Sequence, residues 1–481
     1  MHSFDLAIIL AYLGGITWFG AHFRNREKGL RQYFLGGREA PWWAIALSIV
    51  SAETSTLTIV GTPALAFAGN MGFLQLVLGY LLARILISAL LLPHYFRGEM
   101  FTAYELMRRR FGERVRKLTA AVFLVTRALA EGVRVFAISL VVSIVLGTGE
   151  VASIVLIVAL TVFYTFEGGM TAVIWTDVVQ MCLYVAGAVV SLAAILGKIP
   201  GGWQHAAAVA GAAHKFAIFD FRFTPTMEFF SRPYTFWAGI AGGCFLTTAS
   251  HGTDQLMVQR LLSARNQADS RKALLASWVL VAFQFTLFLL IGVLLWVYYG
   301  AASRSVPAPD RIYPQFIWNS LPPGLAGVVI AAILAAAMAN LSAALNALSS
   351  TVVVDFLRGG SGPSGEAGAM RRARLATLAW AAILVAIGYA GRHSRSVLEA
   401  GLTIASIPSG ALLGVFLLGV LTRRPGERAA IAGVVAGLVA ALAVHFATPV
   451  AYTWYVMIGA TVTFAVGLAA SWLGRALAKI R

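Results

Sequence analysis

The sequence is short of charge and of cysteine. Only 12% of its 481 residues are Asp, Glu, Lys or Arg, about half the share typical of soluble domains, while 59% are hydrophobic. Cys182 and Cys244 both stand in apolar stretches, so neither a disulfide framework nor a thiolate metal site is indicated. The sequence contains no H-E-x-x-H, Walker A or G-x-S-x-G motif and no Cys/His metal-site spacing. It therefore predicts an all-α polytopic membrane protein and not an enzyme.

Long apolar runs predict about thirteen membrane-spanning helices, because lipid cannot satisfy an open backbone. The first run lacks a basic segment before it and is interpreted as a retained helix, not a signal peptide. The run at 151–165 is the shortest. The runs are 4–22, 41–68, 73–93, 118–147, 151–165, 172–196, 235–262, 276–299, 325–356, 375–391, 397–421, 429–446 and 451–473.

The basic residues are unevenly distributed between the loops. If the N-terminus is outside, the loops assigned to the cytoplasm carry 26 Lys and Arg, counting Arg260 at the inner end of the run 235–262; the opposite loops carry 8, and 3 more lie within spans. This bias predicts an external N-terminus and a cytoplasmic C-terminus in the plasma (inner) membrane. The net charge of +17 then belongs to a membrane-surface belt. We expect the lipid bilayer and a small-molecule solute as partners and no nucleic acid. The oligomeric state is open, and a monomer is possible.

Two polar clusters interrupt apolar runs, where polarity is costly and indicates function. The first is Ser51–Thr58, followed by Gly61 and Pro63. Hydroxyls bonded back to their own helix explain one or two such residues, but not Glu53 with five neighbours. The second is Gly242–Asp254, about 200 residues later. Each cluster would open a block of five spans, which is the pattern of an inverted-repeat transporter with a binding site at mid-membrane.

Other polar residues within spans leave two interpretations open. In Ala335–Asp355, Asn and Ser recur among small residues, which fits either close helix packing or oxygen ligands for a cation. Arg127, Glu131 and Arg134 share a helical face. They form either a structural ion-pair cluster or a site where Arg134 binds a solute carboxylate. Asp177 is either a helix cap or a cation ligand.

Four stretches, in order, resemble the sodium:solute symporter family over nearly the whole chain. They are YFLGGREAPWWAIALSIVSAETST, GGMTAVIWTDVVQ, GTDQLMVQRLLSARN and LSAALNALSSTVVVDF. The resemblance implies a leucine-transporter-type fold of five plus five inverted helices. The implied divisions are an N-terminal helix and linker (1–40), the first repeat (41–197), an external loop (198–234), the second repeat (235–421), and two C-terminal helices with a basic tail (422–481).

The resemblance also implies sodium as the coupling ion, with no organic cofactor. Ala339 offers no side-chain oxygen where the family usually has a hydroxyl, and Ala343 departs in the same way at a second site seen in some relatives. The residues implied for sodium are Ser51, Thr54, Ala336, Ala339 and Asn340. The residues implied for a possible second sodium are Asp177, Ser342 and Ala343.

We expect a secondary transporter that takes up a small organic solute by sodium symport and alternating access. Relatives that carry sugars often have aromatics where this chain has Ser250 and His251, so an anionic or zwitterionic solute is favoured. The main alternative is a proton-coupled or uncoupled transporter that uses Glu53; a channel or a membrane enzyme is more remote. The residues predicted to bind solute are Glu53, Thr58, Arg134, Thr247, Ser250 and His251.

Overall fold

The computed structural model describes residues 3–22, 30–98, 100–146, 148–301, 311–357, 363–390 and 397–480. Within these ranges the regular structure is helical, apart from one isolated bridge between Ala40 and Ala264. The helices of the first half are α1 (Ser3–Ala21), α2 (Leu30–Leu35), α3 (Trp42–Glu53), α4 (Thr56–Ala68), α5 (Leu74–Leu86), α6 (Leu92–Tyr95), α7 (Tyr104–Phe111), α8 (Glu113–Leu146), α9 (Glu150–Lys198) and α10 (Gly202–Ala212).

The second half continues in the same manner. Three π-helical turns, Ile87–Leu91, Ala238–Gly242 and Val352–Phe356, join or extend helices. The helices are α11 (Met227–Ser231), α12 (Gly243–Gly252), α13 (Gln255–Leu262), α14 (Gln267–Ala301), α15 (Ile312–Ser320), α16 (Leu325–Thr351), α17 (Pro363–Ala390), α18 (Val397–Leu421), α19 (Glu427–Ala447) and α20 (Tyr455–Ile480).

Among the described residues, nine helices are long and apolar enough to cross a membrane, and the bent pair α3–α4 makes a tenth. The other three predicted runs are helical, but none of them forms a single helix that is both long and apolar enough to cross a membrane. Helix α8 carries three ionised side chains in its middle, and the apolar helix at the start of α9 covers only Val151–Phe163. The run at 235–262 is divided between α12 and α13. The count of thirteen spans stays a prediction.

Helix α16 forms the centre of the described fold. Nearly all of its side chains are buried, and it packs against α9, α1, α8, α17 and α3. Its Ala, Gly and Ser residues permit this close approach of neighbouring backbones. The Asp5 carboxylate of α1 accepts the N–H groups of Gly324 (2.7 Å) and Gly327 (2.9 Å) at the start of α16. Helix α1 thereby satisfies donors that the helix itself leaves unpaired.

Glycines allow α5 to pack closely against the segment that leads into α12. A Cβ on Gly243 would lie 2.6 Å from the carbonyl oxygen of Leu76, and one on Gly239 would lie 2.6 Å from the carbonyl carbon of Gln75. Real Cβ atoms essentially never lie this close to another heavy atom, so neither position could hold a larger residue without a shift of the backbone. The second interrupted helix is therefore held directly against the backbone of α5.

The segment predicted as the external loop, 198–234, contains α10 and α11. The Lys215 ammonium donates to the carbonyl oxygens of Phe67 (2.7 Å) and Gly69 (2.8 Å), at the end of α4. This segment is therefore fastened to the second half of the broken helix α3–α4. Of the basic loops that predict the orientation, 23–29 and 358–362 lie outside the described residues.

Candidate functional site

The first predicted interruption is a break between α3 and α4. The two helices are bent by 67°, and Thr54 and Ser55 have extended backbone conformations. The side chain of Thr58 accepts the backbone N–H of Ser55 at 3.3 Å, which starts α4 anew. Among the backbone hydrogen bonds of the described residues, none ends at the carbonyl oxygens of Ser51 or Thr54. These two predicted sodium ligands are therefore available acceptors.

The second interruption separates α12 from α13. Thr253 and Asp254 lie between the helices, and Asp254 caps α13 by accepting the N–H of Leu256 at 2.9 Å. The hydroxyl of Tyr95 donates to the carbonyl of Gly252, the last residue of α12. The polar run at 242–254 thus produces a second broken helix, with its own caps, as predicted.

A cavity of about 180 Å³ lies between the two broken helices. Phe73, which precedes α5, and side chains from α5, α8, α14 and α18 complete its wall, among them Tyr80 and Phe285. All of the residues predicted to bind solute line it: Glu53, Thr58, Arg134, Thr247, Ser250 and His251. The structure therefore brings residues from three parts of the sequence to one cavity.

Arg134 belongs to a chain of ion pairs along α8. Arg134 Nη1 and Arg127 Nη1 both donate to Glu131 Oε1. The distance from Arg127 Nη1 to this oxygen is 3.0 Å. Arg127 also pairs with Asp254 from the second break. Arg134 Nη1 lies 3.4 Å from the amide oxygen of Asn340. Its Nε is buried without a hydrogen-bond partner among the described residues.

The two interpretations of this face are therefore not exclusive. The ion-pair cluster is present, and Arg127 is committed to two carboxylates. Arg134 shares only one of them, and its side chain is 22% exposed at the cavity. Its guanidinium therefore retains hydrogen-bonding capacity for a ligand.

Arg84 was not predicted as a site residue, although it is central to the geometry. It is fully buried, donates to Glu53 Oε2 at 2.8 Å and to Ser277 Oγ at 3.0 Å, and lies 3.4 Å from His251 Nε2. His251 Nε2 is 3.2 Å from the same oxygen of Glu53. Arg84 thus connects the first broken helix to the second. The sequence feature that indicates a role for Arg84 is its position as a lone arginine in an apolar run, with no acidic residue nearby in the sequence.

The sodium residues predicted on α16 lie beside the first break. Asn340 Nδ2 donates to the carbonyl oxygen of Ala52 at 2.6 Å, and Ala336 and Ala339 are fully buried on the same helix. The amide of Asn340 therefore presents its nitrogen to the end of α3 and its oxygen to Arg134. The hydroxyl of Thr54 donates a separate hydrogen bond to Gln284 Oε1, at 2.8 Å.

Asp177 has a partner that neither of its two interpretations included. Its Oδ2 accepts from Arg260 Nη2 at 2.7 Å and from Ser48 Oγ at 2.5 Å, and both charged residues are fully buried. The charge bias of the loops assigns Arg260 to the cytoplasmic side, whereas the structure buries it in the core. Ser342 Oγ donates to the carbonyl of Ala339 at 3.1 Å. Asp177 Oδ1 is buried without a partner among the described residues.

The family model of the sodium:solute symporter family matches residues 33–437. The chain belongs to this family. It is 28% identical to the sodium/sialic acid symporter SiaT of Proteus mirabilis, over 95% of this chain and 93% of that protein. It is 27% identical to the sodium-coupled monocarboxylate transporter 2 of Bos taurus (93% and 73%) and to the human sodium/iodide cotransporter (91% and 68%).

Solved structures show the same architecture. A substrate-bound, outward-open sodium-coupled sialic acid symporter matches with a TM-score of 0.88 at 26% identity, over 98% of both chains. A nucleobase-cation-symport-1 family transporter in a closed conformation matches with a TM-score of 0.58 at 14% identity, over 92% of this chain and 94% of that one, and shows the fold alone. The chain is an integral, multi-pass symporter and not an enzyme, so the predicted sodium-coupled transport of a small solute is confirmed.

Proposed function

We propose that this symporter takes up a small organic anion and binds its carboxylate at Arg134. Sialic acid, monocarboxylates and iodide, which the related proteins are named for, are all anions. The observation that carries the proposal is the Arg134 side chain, which lines the cavity, is 22% exposed and has an Nε without a hydrogen-bond partner among the described residues. A guanidinium binds a carboxylate through two parallel N–H groups, which a single ammonium cannot reproduce.

Other residues that line the cavity suit hydrogen-bond donors on the same solute. Both hydrogen bonds of Glu53 end at Oε2, while Oε1 takes none among the described residues. Thr58, Thr247 and Ser250 line the same space and offer hydroxyl groups. We therefore favour a carboxylate that also carries hydroxyl or amide groups.

The proposed sodium site lies between the first break and α16. The carbonyl oxygens of Ser51 and Thr54 accept no backbone N–H in the part of the chain that the structure describes, and oxygen atoms are the ligands that hard cations require. The carbonyl of Ala336 would add a third oxygen, and Asn340 would add a fourth once its amide turns its oxygen from Arg134 toward the break. Ala339 contributes no side-chain oxygen, so we expect weak sodium binding, about −4 kcal/mol for a millimolar Kd.

Proton coupling through Glu53 is the less favoured alternative. A coupling carboxylate must gain and lose a proton during the cycle, whereas Glu53 forms an ion pair with the fully buried Arg84. Uptake driven by a sodium gradient at fixed pH, and absent under a pH gradient without sodium, would support sodium. Uptake that ignores sodium, follows pH and is lost in Glu53→Gln would establish the alternative.

The finer architecture belongs to the same proposal. We place two inverted repeats at 41–197 and 235–421, each of which opens with one of the two broken helices. We propose thirteen spans from the apolar runs, and an external N-terminus and a cytoplasmic C-terminus in the plasma (inner) membrane from the charge bias of the loops. Alternating access would then move the repeats around the cavity between the breaks.

Arg134→Ala provides the test. We expect sialic acid or short carboxylates to raise the melting temperature of the purified chain in sodium, since a ligand stabilises the state that it binds. Arg134→Ala should weaken this binding by about 2–5 kcal/mol, which is at least about 30-fold in Kd. Arg134→Lys should recover little of it.

Arg108→Ala is the control, because Arg108 is 40% exposed on α7 and pairs only with Glu105 among the described residues. It should leave ligand binding unchanged. The unliganded Arg134→Ala protein should fold, because Glu131 keeps Arg127 as a partner. If Arg134→Ala lowers the melting temperature but leaves affinity intact, Arg134 acts only in the ion-pair cluster.

A further inference from the structure

A second cavity, of about 620 Å³, shares no described lining residue with the cavity between the two broken helices. Helices α1, α8, α9 and α16 form its walls. Its floor is buried, since Ile9, Ile157 and Leu334 are at most 4% exposed. Its rim is open, since Trp18 and Phe163 are 73% and 56% exposed. The cavity is therefore a groove in the outer surface of the helix bundle.

The groove lies at the depth of the membrane. Helices α1 and α16 are both long and apolar enough to cross a bilayer. From Ile9 to Trp18 the lining of α1 extends about 14 Å at 1.5 Å per residue, which is close to half of a hydrocarbon core of about 30 Å. Apart from the Thr17 hydroxyl and the indole N–H of Trp18, the described side chains that line the groove have no polar atom. The groove therefore opens to acyl chains and not to water.

An acyl chain suits this groove in size and in chemistry. Cavities of about 300–1,000 Å³ hold small organic molecules, and the groove falls within this range. Each contact between apolar atoms contributes little, but the many contacts along a bound chain together stabilise it. The apolar lining alone does not distinguish one lipid from another.

A smaller cavity, of about 260 Å³, adjoins the groove, and Ile330 of α16 lines both. Arg311, Gln315 and Asn319 line this α15 cavity. They follow one another at intervals of four residues and therefore share one face of α15. Trp318 lies beside them and is 37% exposed, as is typical of tryptophan at the membrane–water interface. Arg311 is exposed and forms no ion pair with another described residue.

We propose that the groove and the α15 cavity together bind one anionic phospholipid. One acyl chain lies in the groove, against α1, α9 and α16. The lipid phosphate contacts the guanidinium of Arg311, while the amides of Gln315 and Asn319 donate to oxygen atoms of the glycerol and ester groups. This lipid site is separate from the solute cavity, so it does not depend on the proposed function.

The charge of the head group determines which lipid is preferred. Within a bilayer, an acyl chain gains no hydrophobic free energy by entering the groove, because the surrounding lipid is equally apolar. The preference must therefore come from packing and from Arg311. One basic side chain near the membrane surface should favour an anionic lipid about 5-fold, which corresponds to ~1 kcal/mol.

Native mass spectrometry of the full chain in detergent, titrated with dioleoylphosphatidylglycerol, tests the proposal. Gly14 lines the groove, and a Cβ there meets nothing within 4 Å, so Gly14→Phe adds a ring to the groove without a clash at Cβ. We expect the affinity for the first lipid to fall by about 5- to 150-fold through overpacking. Gly15→Phe is the matched control, because a Cβ at Gly15 also meets nothing within 4 Å but Gly15 does not line the groove. It should leave lipid binding unchanged.

Arg311→Gln tests the head group. The unaltered chain should bind dioleoylphosphatidylglycerol about 5-fold more tightly than dioleoylphosphatidylcholine, whose head group has no net charge. Arg311→Gln should remove this preference and keep the binding itself. Lys198→Gln is the control, since Lys198 is exposed at the end of α9, on the same side of the membrane in the predicted topology, and lines neither cavity. Equal affinity of the unaltered chain for both lipids would overturn the proposal.

Equal lipid binding by Gly14→Phe and Gly15→Phe would overturn it as well. Gly14→Leu repeats the measurement with a smaller side chain if Gly14→Phe does not fold. A second copy of the chain is the competing occupant of the groove. A lipid-free dimer in detergent that Gly14→Phe dissociates, and Gly15→Phe does not, would assign the groove to that copy and contradict a lipid there.

Discussion

Among single residues, Arg84 and Glu53 form the contact whose removal should be most costly. Arg84 is fully buried, so Glu53→Gln leaves its guanidinium without a counter-ion. We expect the free energy of unfolding to fall by about 3–5 kcal/mol. Glu53→Gln combined with Arg84→Met should cost less than Glu53→Gln alone. Thermal melting of the two single variants and the double variant measures the coupling between the residues. Additive losses would show that the pair contributes no interaction energy.

Ala339 is the residue at which sodium affinity should be adjustable. It is fully buried on α16, where the family usually supplies a hydroxyl. Ala339→Ser should tighten sodium binding by roughly 0.5–1.5 kcal/mol for one added ligand contact, or about 2- to 12-fold. The sodium concentration that gives half-maximal uptake provides the measurement. Ala344→Ser is the control, since Ala344 is equally buried but faces away by the helical rotation. An equal effect of both substitutions would contradict a ligand role.

The sequence predicts the charged residues of the site better than their partners. Spacing along one helix places Arg127, Glu131 and Arg134 together, because residues three and four apart share a face. The pair between Arg127 and Asp254 spans 127 positions, and the pair between Asp177 and Arg260 spans 83. Such pairs depend on how the helices pack, which no local pattern encodes. This is why neither interpretation of Asp177 includes Arg260, and why the sequence does not reveal the role of Arg84.

At the scale of elements, glycine contacts should control how α12 meets α5. A Cβ on Gly243 would lie 2.6 Å from a backbone oxygen, which cannot move aside as a flexible side chain can. We expect Gly243→Ala to lower the free energy of unfolding by about 1–3 kcal/mol through overpacking. Gly15→Ala is the control, because a Cβ there meets nothing within 4 Å. Melting temperatures of the two variants decide the matter, and equal values would refute close packing at Gly243.

The elements themselves follow from the sequence to different degrees. Both helix breaks are predictable, because six polar residues before a Gly-x-Pro, or a Gly-rich polar run, cannot form an uninterrupted apolar helix. The division between α12 and α13 and the charges of α8 lower the apparent number of spans for the same reason. Function requires polarity where a membrane helix would otherwise be apolar. Hydropathy therefore underestimates the helices that form the site.

For the whole molecule, the four arginines and four carboxylates that pair with one another at the broken helices contrast with a net charge of +17 for the chain. The excess positive charge therefore lies outside the transport site, and the sequence assigns most of it to loops on one side of the membrane. Charge within the core then controls what the site can bind. Charge outside it controls how the chain inserts. The two distributions can change independently.

The predicted orientation is the remaining property of the whole chain that needs a direct test. Phe223 lies in the segment predicted to be external, and Arg424 lies in a loop predicted to be cytoplasmic; both side chains are exposed. In a background with Cys182→Ser and Cys244→Ala, Phe223→Cys should react with a membrane-impermeant maleimide on intact cells. Arg424→Cys should react only after the membrane is opened. The reverse pattern would place the basic loops outside. The positive-inside rule would then have failed for a bias of 26 to 8, and the N-terminus would have to be assigned to the cytoplasm.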